Sequence, residues 1–409
     1  MAFNLLHEKI QKAIQDLGHT DPTPIQEQAI PKILEGLDLQ ASAQTGTGKT
    51  AAFILPALNR LAANPPHAGK GTGKGPGREQ GPRILILVPT RELAMQVATE
   101  AAKYSKHLSQ VKTVCIYGGA PYPVQNRELS RPYDILVATP GRLIDHIDRG
   151  RVRFHRLEML ILDEADRMLD MGFIEPVEHI ASLTPKSRQT LMFSATLKGN
   201  VLKLSKRLLN NPIEISVEAS QIEQQNIEQR LHTVDNLDHK YRLLDHLLND
   251  DTLTQVIVFT STKHQADQLA DKLQDTGLKA GALHGDMNQR QRTRTIAQLR
   301  RGEIRILVAT DVAARGIDVR TISHVINFDL PMSAEDYVHR IGRTGRAGAT
   351  GIALSFAANK DMHIVRRIEQ FTGKKMISTV IPGMEPKFKP QIKPARKSWG
   401  PPKRRFRSR

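Results

Sequence analysis

The chain has 409 residues, and 59 Lys and Arg against 42 Asp and Glu give it a formal net charge of +17. A single hydrophobic core rarely grows past about 250–300 residues, so this length predicts two domains rather than one. The positive excess favours a polyanionic partner, with nucleic acid ahead of an anionic membrane. On charge alone, a basic surface that is merely solvated remains the alternative.

The single cysteine, Cys115, excludes a disulfide within the chain and fits a reducing cytoplasm. It lies in the apolar run 111–117, where we expect a buried strand residue. The N-terminus lacks the long apolar core of a signal peptide, and no stretch of about 18 apolar residues occurs. We therefore expect a cytoplasmic protein without a membrane span.

Short apolar runs alternate with longer amphipathic stretches, and the alternation falls into two blocks. The first block carries runs at 84–88, 134–138, 159–163 and 189–193, and the second at 255–259, 305–309, 324–328 and 351–356. Runs that are apolar at nearly every position are typical of strands buried on both faces, and hence of parallel sheets covered by helices. The sequence therefore predicts an α/β protein with two parallel-sheet domains in tandem.

Polar segments indicate where the domains begin and end. We predict a first domain at 1–216, a linker at 217–226, a second domain at 227–382 and a disordered basic tail at 383–409. The stretch 62–83 is rich in Gly and Pro, which predicts a flexible insert in the first domain. Between Glu385 and Arg409, ten Lys and Arg accompany one acidic residue, and such a segment cannot bury enough apolar surface to fold.

The segment A-Q-T-G-T-G-K-T at 43–50 follows a short strand and precedes a helical stretch, as a phosphate-binding loop requires. Glycines allow backbone N–H groups to approach phosphates, and the helix N-terminus adds a positive dipole. We expect Lys49 to reach the β- and γ-phosphates and Thr50 to give its hydroxyl to Mg²⁺. Ala43 stands where the general pattern has Gly, so a chance Gly-rich turn is the alternative. The predicted phosphate-binding residues are Thr45, Gly46, Thr47, Gly48, Lys49 and Thr50.

The segment M-L-I-L-D-E-A-D at 159–166 places acids at the carboxyl end of a buried strand, where α/β sheets bind ligands. We expect Asp163 to hold Mg²⁺ through water and Glu164 to orient or deprotonate the attacking water. The alternative is a cluster that caps the following helix. The phosphate loop and these acids, occurring in this order, indicate ATP hydrolysis.

The segment G-H-T-D-P-T-P-I-Q at 18–26 ends on a glutamine whose side-chain amide offers both a donor and an acceptor. We expect Gln26 to read the edge of adenine. Phe3 is expected either to stack on the adenine ring or, as an equal alternative, to pack the first helix onto the core.

With D-E-A-D at 163–166, the chain resembles the DEAD-box RNA helicases. The spacing and the short basic tail are most similar to the bacterial RhlE-type subgroup. Two departures stand out: the segment between Phe3 and Gly18 is about two residues shorter than usual, and His19 replaces an aromatic residue. The other matching segments are 18–26, 43–50, P-T-R-E-L-A (89–94), Gly118-Gly119, T-P-G-R (139–142), S-A-T (194–196), V-F-T-S (258–261), H-G-D (284–286), A-T-D-V-A-A-R-G-I-D (309–318) and H-R-I-G-R-T-G-R (339–346).

The resemblance implies two RecA-like domains that share one ATP and its Mg²⁺. Arg343 and Arg346 would be arginine fingers that the second domain directs at the γ-phosphate. Gly316 would lie close to the phosphates, and Asp318 would contact the ribose. The predicted catalytic residues are Lys49, Asp163, Glu164, Arg343 and Arg346.

The resemblance also implies an RNA surface across both domains. Backbone N–H groups and helix N-termini there bind phosphates without reading bases, which gives little sequence preference. The predicted RNA contacts are Pro89, Thr90, Arg91, Gly118, Gly119, Thr139, Pro140, Gly141, Arg142, Thr310 and Asp311. The predicted coupling residues between ATP and RNA are Asp166, Ser194, Thr196 and His339.

These features predict an RNA-stimulated ATPase that unwinds short RNA duplexes locally, without processive tracking, and remodels RNA–protein particles. An ATP-gated RNA chaperone or clamp with strand-annealing activity is the alternative, and a DNA helicase is a third hypothesis. Ribosomal or RNA-decay proteins are the expected protein partners, and a monomer is the default state. We expect the basic tail to act as a tether for RNA.

Overall fold

The computed structural model describes residues 1–43, 47–64, 81–197, 199–217, 227–250, 252–314, 319, 321–345 and 350–387. Within these residues the strands form two seven-stranded sheets, each entirely parallel. The predicted α/β fold class is therefore confirmed. No helix of the described ranges is long and apolar enough to cross a membrane.

The first sheet has the strand order β3-β4-β2-β5-β6-β1-β7. Its strands are β1 Leu39–Ser42, β2 Ile84–Leu87, β3 Thr113–Ile116, β4 Ile135–Ala138, β5 Met159–Leu162, β6 Gln189–Ser194 and β7 Ile213–Ser216. A short 3₁₀ turn, Ala2–Leu5, precedes the helices. The helices are α1 Glu8–Asp16, α2 Pro24–Leu34, α3 Lys49–Ala63, α4 Arg91–Tyr104, α5 Tyr122–Leu129, α6 Pro140–Asp148, α7 Ala165–Asp170, α8 Ile174–Ser182 and α9 Asn200–Leu208.

The second sheet repeats this arrangement with the strand order β10-β11-β9-β12-β13-β8-β14. Its strands are β8 Ile227–Thr233, β9 Val256–Phe259, β10 Ala280–Leu283, β11 Ile306–Ala309, β12 His324–Asn327, β13 Gly351–Ala357 and β14 Ile377–Ser378. The helices are α10 Leu237–Leu248, α11 Lys263–Asp275, α12 Gln289–Arg300, α13 Asp311–Ala314, α14 Ala334–Ile341 and α15 Met362–Thr372. A 3₁₀ turn, Asn359–Asp361, precedes the last helix.

Both sheets bury apolar side chains on their two faces, as the apolar runs predicted. Ile84 and Ile86 belong to one cluster of the first domain, whereas Leu85 and Leu87 belong to the other. The second sheet behaves alike, with Val256 and Val258 on one face and Ile257 and Phe259 on the other. Successive strand residues point to opposite faces, so a continuous apolar run supplies two cores at once.

Polar residues at the carboxyl ends of strands start several of the helices that cover the sheets. Thr90 accepts a hydrogen bond from the N–H of Leu93 at 3.3 Å, and Asn236 accepts one from His239 at 2.9 Å. These caps satisfy N–H groups that lack a partner in the first helical turn. They also fix the turns after β2 and β8, and the turn after β2 carries predicted RNA contacts.

Several parts of the predicted domain organisation can be compared with the described ranges. Most of the predicted linker 217–226, most of the insert 62–83 and the tail from 388 onward lie outside them. Residues 383–387, which we assigned to the tail, instead contact the second domain, because Nε2 of His239 bonds the carbonyl of Met384 at 3.0 Å. Cys115 lies on β3 as expected and is half-buried, and burial raises its pKa to about 12.

The buried histidine His232 makes the stability of the second domain depend on pH. It lies edge-on to Phe356 at 6.0 Å between ring centroids and is 3% exposed, and its burial lowers its pKa to about 4. The unfolded chain has an ordinary histidine pKa of about 6.5, so it binds the proton first as the pH falls. We expect up to about 3 kcal/mol of stability to be lost between pH 7 and pH 4 through this residue.

Urea unfolding of the full chain, followed by circular dichroism at pH 7.5 and pH 5, checks this expectation. His232→Leu should reduce the loss of stability between the two pH values. His264→Leu is the control, because that side chain is exposed on the helix Lys263–Asp275. An equal loss in the wild type and in His232→Leu would contradict the argument.

Candidate nucleotide site and nucleic-acid cleft

The phosphate loop leads directly into the helix Lys49–Ala63. Gly48 precedes this helix with φ +88°, a left-handed conformation that favours glycine. Lys49 is 6% exposed at the helix N-terminus, where the helix dipole favours anions. Thr47 and Thr50 flank these residues, whereas Thr45 and Gly46 lie outside the described residues.

Gln26 holds this loop through its side-chain amide. Its Nε2 donates to the carbonyl oxygen of Gly48 at 3.1 Å, and its Oε1 accepts from the N–H of Thr23 at 3.0 Å. The second bond belongs to a capping box that starts the helix Pro24–Leu34. Gln26 therefore fixes the backbone at the phosphate loop, and its contact with adenine stays a prediction.

Phe3 is 9% exposed and belongs to the core cluster of the first domain, together with Ile10 and Ile30. This placement agrees with the second expectation for Phe3, that it packs the first helix onto the core. Stacking on adenine stays a prediction.

The acids after β5 lie next to Lys49 in the folded chain. Asp163 is 2% exposed, and its Oδ1 accepts from the N–H of Glu164 at 2.9 Å. Burial raises the pKa of Asp163 to about 6 against the opposing effect of the Lys49 charge. Glu164 has φ 52° and ψ 50°, a left-handed conformation that strains a residue with a Cβ by roughly 1–2 kcal/mol.

The predicted coupling residues Asp166 and Ser194 meet through hydrogen bonds between side chains and backbone N–H groups. The Ser194 hydroxyl accepts from the backbone N–H of Asp166 and from that of Thr196, both at 3.3 Å. The Asp166 carboxylate accepts from the N–H of Ala195 at 3.2 Å. The segments 163–166 and 194–196 are therefore linked by bonds in which a side chain of one segment accepts from a backbone N–H of the other. The hydroxyl of Ser194 does not donate to the carboxylate of Asp166.

In the second domain, Arg340 is the residue that organises the arginine motif. Its guanidinium bonds both carboxylate oxygens of Asp311, at 2.5 and 2.7 Å, and the side chain of Asn327 at 3.1 Å. It also lies 4.9 Å from the ring centroid of Phe259. Asp311, which we predicted as an RNA contact, instead gives both oxygens to Arg340. Nothing in the motif itself distinguishes the role of Arg340 from those predicted for Arg343 and Arg346, so this role was not predicted.

Arg343 lies at the gap between the two domains. It is 3% exposed, and its Nε donates to the carbonyl of His339 at 3.2 Å. Both residues line a small cavity together with Arg167 of the first domain, which follows the acids on the helix Ala165–Asp170. The Nε of Arg167 is 3.3 Å from Oε2 of Glu164. The structure thus places the predicted finger Arg343 opposite the segment that carries the acids, whereas Arg346, Gly316 and Asp318 lie outside the described residues.

A second and larger cleft lies between the two domains, with a volume of about 300 Å³. Seven predicted RNA contacts line it: Pro89, Thr90, Arg91, Gly118, Thr139, Gly141 and Arg142. The second domain contributes Gly285, Met287 and Arg292, and Met171 and Phe173 of the first domain complete it. Pro140 begins the helix behind Thr139. Thr310 is not among the residues that line this cleft. Its side chain is buried directly before the helix Asp311–Ala314.

Gly119 shows why the cleft needs a glycine at that position. It has φ +84°, and a Cβ there would lie 2.2 Å from Nη1 of Arg91. The guanidinium of Arg91 therefore packs directly on the Gly118-Gly119 backbone. This contact brings the two predicted phosphate-binding segments into one surface.

A buried ion pair joins the two domains at the wall of the cleft. The Nε of Arg292 donates to Oε1 of Glu92 at 2.7 Å, and the two side chains are 8% and 7% exposed. Arg292 also donates to the carbonyls of His284 at 3.1 Å and Ala313 at 3.3 Å. This pair was not predicted, because nothing local in the sequence marks two residues 200 positions apart as partners.

Comparison with known proteins agrees with this geometry. The family described as DEAD/DEAH box helicase matches residues 23–204, and the helicase conserved C-terminal domain matches residues 239–348. The ATP-dependent RNA helicase SrmB of Escherichia coli is 44% identical over 383 residues, which cover 93% of this chain and 84% of that protein. The ATP-dependent RNA helicase DeaD of Mycobacterium tuberculosis is 43% identical over 380 residues, 93% of this chain, and this chain spans only 64% of its length.

Among solved structures, S. cerevisiae Dbp5 bound to RNA and ADP BeF₃ superposes with a TM-score of 0.80 at 30% identity. The superposition covers 91% of this chain and 94% of Dbp5. The chain therefore belongs to the family of DEAD-box ATP-dependent RNA helicases, and its sheets are RecA-like. The family prediction is confirmed, while the RhlE-type subgroup stays a prediction because the relatives named above carry other names.

The contact between Gln26 and the phosphate loop generates a prediction for Gly48. A Cβ at this position would lie 2.5 Å from Nε2 of Gln26 and 2.9 Å from Oγ1 of Thr23. Gly48→Ala must therefore displace the loop, and we expect ATP affinity to fall by at least an order of magnitude. The measurement is the KM for ATP, together with the melting temperature.

Gly36→Ala is the matched control for Gly48→Ala. Gly36 has φ +84°, nearly the same as Gly48, yet nothing lies within 4 Å of a Cβ there. It should lose about 1 kcal/mol of stability from the left-handed backbone and keep its KM for ATP. Equal KM values in the two variants would contradict the proposed role of the Gln26 contact.

Proposed function

We propose that this chain is an RNA-dependent ATPase that unwinds short RNA duplexes locally, without processive tracking, and remodels RNA–protein particles. The names of its relatives and the RNA and nucleotide analogue bound to Dbp5 support this proposal. The observation that carries it is the buried Glu92–Arg292 ion pair. This pair lies where both domains line one cleft, so the cleft is complete only when the domains meet.

ATP hydrolysis is expected at the gap between the domains. The first domain supplies Lys49 and Glu164, and the second supplies Arg343. Lys49 binds the β- and γ-phosphates, Glu164 orients or deprotonates the attacking water, and Arg343 stabilises the charge that develops on the γ-phosphate. The charge-stabilising arginine reaches the phosphate only from the second domain, so turnover requires closure.

The donor set near the phosphate loop fits Mg²⁺. Asp163 is a buried carboxylate and Thr50 offers a hydroxyl, and both are oxygen ligands of the kind that this ion prefers. A cation would also favour the charged form of Asp163, whose pKa is raised by burial. When bound, Mg²⁺ neutralises charge on the β- and γ-phosphate oxygens.

RNA is expected in the larger cleft, which is lined by Arg91, Gly118, Thr139, Gly141 and Arg142. Such contacts go to phosphates and leave the bases unread, so sequence preference is small. ATP and RNA both favour the closed arrangement, so each raises the affinity for the other. Disrupting a few base-pair steps at about 1.4 kcal/mol each, by analogy with DNA, suits short duplexes.

A steady-state ATPase assay with and without single-stranded RNA tests the proposal. We expect RNA to raise the ATP turnover rate and DNA of the same sequence to raise it much less. Glu164→Gln removes the base that deprotonates water, so turnover should fall by about 10²–10⁴-fold while RNA binding persists. Turnover that ignores RNA would contradict the proposal.

Displacement of one strand from a short RNA duplex separates the proposal from its alternatives. An unwinding enzyme requires hydrolysable ATP for repeated turnover. Strand exchange or annealing that persists with a non-hydrolysable ATP analogue would favour the RNA chaperone or clamp. Equal stimulation by DNA and RNA would favour a DNA helicase.

The ion pair between the domains gives a second prediction. Arg292→Gln leaves the carboxylate of Glu92 buried without its partner whenever the domains close, which typically costs about 3–5 kcal/mol. Closure should become rare, and RNA should no longer stimulate ATP turnover. Glu92→Gln should be milder, because Arg292 keeps the carbonyls of His284 and Ala313 as acceptors.

The double variant Glu92→Gln/Arg292→Gln completes a double-mutant cycle. It buries no charge on closure, so it should retain more RNA stimulation than Arg292→Gln alone. Single-molecule fluorescence between labels on the two domains reports closure directly. Strictly additive losses in the cycle would show that the pair does not couple the domains.

The remaining expectations concern the surroundings of the enzyme. The basic residues after 387 are proposed to tether RNA, and we propose a cytoplasmic location on the basis of the single cysteine and the composition. Ribosomal or RNA-decay proteins are the proposed partners, since RNA–protein particles are the proposed substrate. The monomer remains the default state.

A further inference from the structure

The side chain of Tyr122 lies between two arginines on the first domain. Its ring centroid is 4.1 Å from Cζ of Arg142 and 4.6 Å from Cζ of Arg149. Its hydroxyl donates to Oδ2 of Asp145 at 2.7 Å. Two guanidinium groups on one aromatic ring, with the ring also held at its polar end, form a fixed cluster.

Arg142 connects this cluster to the cleft. Its Nη1 donates to the carbonyl of Ala120 at 2.8 Å, and its side chain is only 9% exposed although it lines the cleft. Ala120 directly follows Gly118 and Gly119. The guanidinium of Arg142 therefore fastens the glycine loop to the helix Pro140–Asp148.

Two buried side chains, Gln125 and His146, stabilise the same loop on its protein side. The Nε2 of Gln125 donates to the carbonyls of Tyr117 at 3.0 Å and Ala120 at 3.4 Å. Nε2 of His146 lies 3.2 Å from Oε1 of Gln125, and the His146 ring is 5.6 Å from that of Tyr122. The carbonyls on both sides of the glycine pair are thus bonded, which fixes where the loop presents its N–H groups.

We propose that Tyr122 is a positioning residue for RNA binding. Its ring holds the guanidinium of Arg142 against Ala120, and this contact keeps the glycine loop in the conformation that faces the phosphate backbone. Tyr122 itself does not line the cleft, so it acts through Arg142. The inference rests on the proposed function, because it assumes RNA in this cleft.

The experiment measures the binding of a fluorescent oligouridine by anisotropy, in the presence of a non-hydrolysable ATP analogue. Tyr122→Leu keeps apolar volume but loses the aromatic face, and we expect the RNA dissociation constant to rise about tenfold. Tyr122→Phe keeps the face and loses only the bond to Asp145, so it should restore most of the affinity.

The salt dependence of the RNA dissociation constant shows whether Tyr122 positions the loop or contacts phosphate directly. Tyr122→Leu removes no cation, so the slope of log Kd against log salt should equal that of the wild type. In the ATPase assay, the RNA concentration for half-maximal stimulation should rise while the rate at saturating RNA is retained. A change in the slope, or a fall of the saturated rate alone, would overturn the positioning role.

Tyr241→Leu is the matched control. Tyr241 is also half-buried and carries a cation, with Nζ of Lys272 at 3.9 Å from the ring centroid, but it belongs to the second domain away from this loop. If its RNA affinity and melting temperature fall as much as those of Tyr122→Leu, lost packing explains the effect and the inference fails. If RNA binds but does not stimulate ATP turnover, the proposed function is wrong. The dissociation constants of the Tyr122 variants would in that case still test whether Tyr122 positions the glycine loop.

Discussion

A buried ion pair joins the two domains in the described part of the chain. Glu92 and Arg292 are both more than nine-tenths buried, and each belongs to a different domain. Removing two charges from water is costly, and a direct hydrogen bond between them offsets that cost only in good geometry. In the proposed cycle of domain closure, both charges regain water when the domains separate, so the pair favours closure without preventing opening.

The pair is also the start of a continuous path of hydrogen bonds. Arg292 bonds the carbonyl of Ala313, which lies on the short helix that begins with Asp311. Asp311 holds Arg340, and Arg340 precedes Arg343 in the same segment. The wall of the larger cleft is thus connected to the segment that carries Arg343, which lines the small cavity together with Arg167.

The sequence predicted most of the fold because the information is local. An apolar run with strand spacing is visible along the chain, and each predicted run became a strand. The strands Ile227–Thr233 and Ala280–Leu283 were not predicted, since the first is interrupted by polar residues and the second contains mostly small ones. The motif residues could also be predicted, because each motif is a short pattern of neighbouring residues. What escaped were partners far apart in sequence, such as Glu92 with Arg292 and Arg340 with Asp311.

Several buried polar groups at and beside the gap between the domains lack a hydrogen-bond partner in the described part of the chain. Nη1 and Nη2 of Arg167 and Oδ1 of Asp166 are buried without hydrogen-bond partners among the described residues. Glu164 carries a strained backbone beside them. Such costs persist only where the surrounding fold enforces them, and they cluster at sites that bind or react. A triphosphate offers acceptors to the N–H groups of Arg167, whereas Oδ1 of Asp166 is itself an acceptor and requires a donor such as water. The guanidinium groups of Arg167 and Arg343, which line one cavity from the two domains, therefore support the proposal of a polyanionic ligand there.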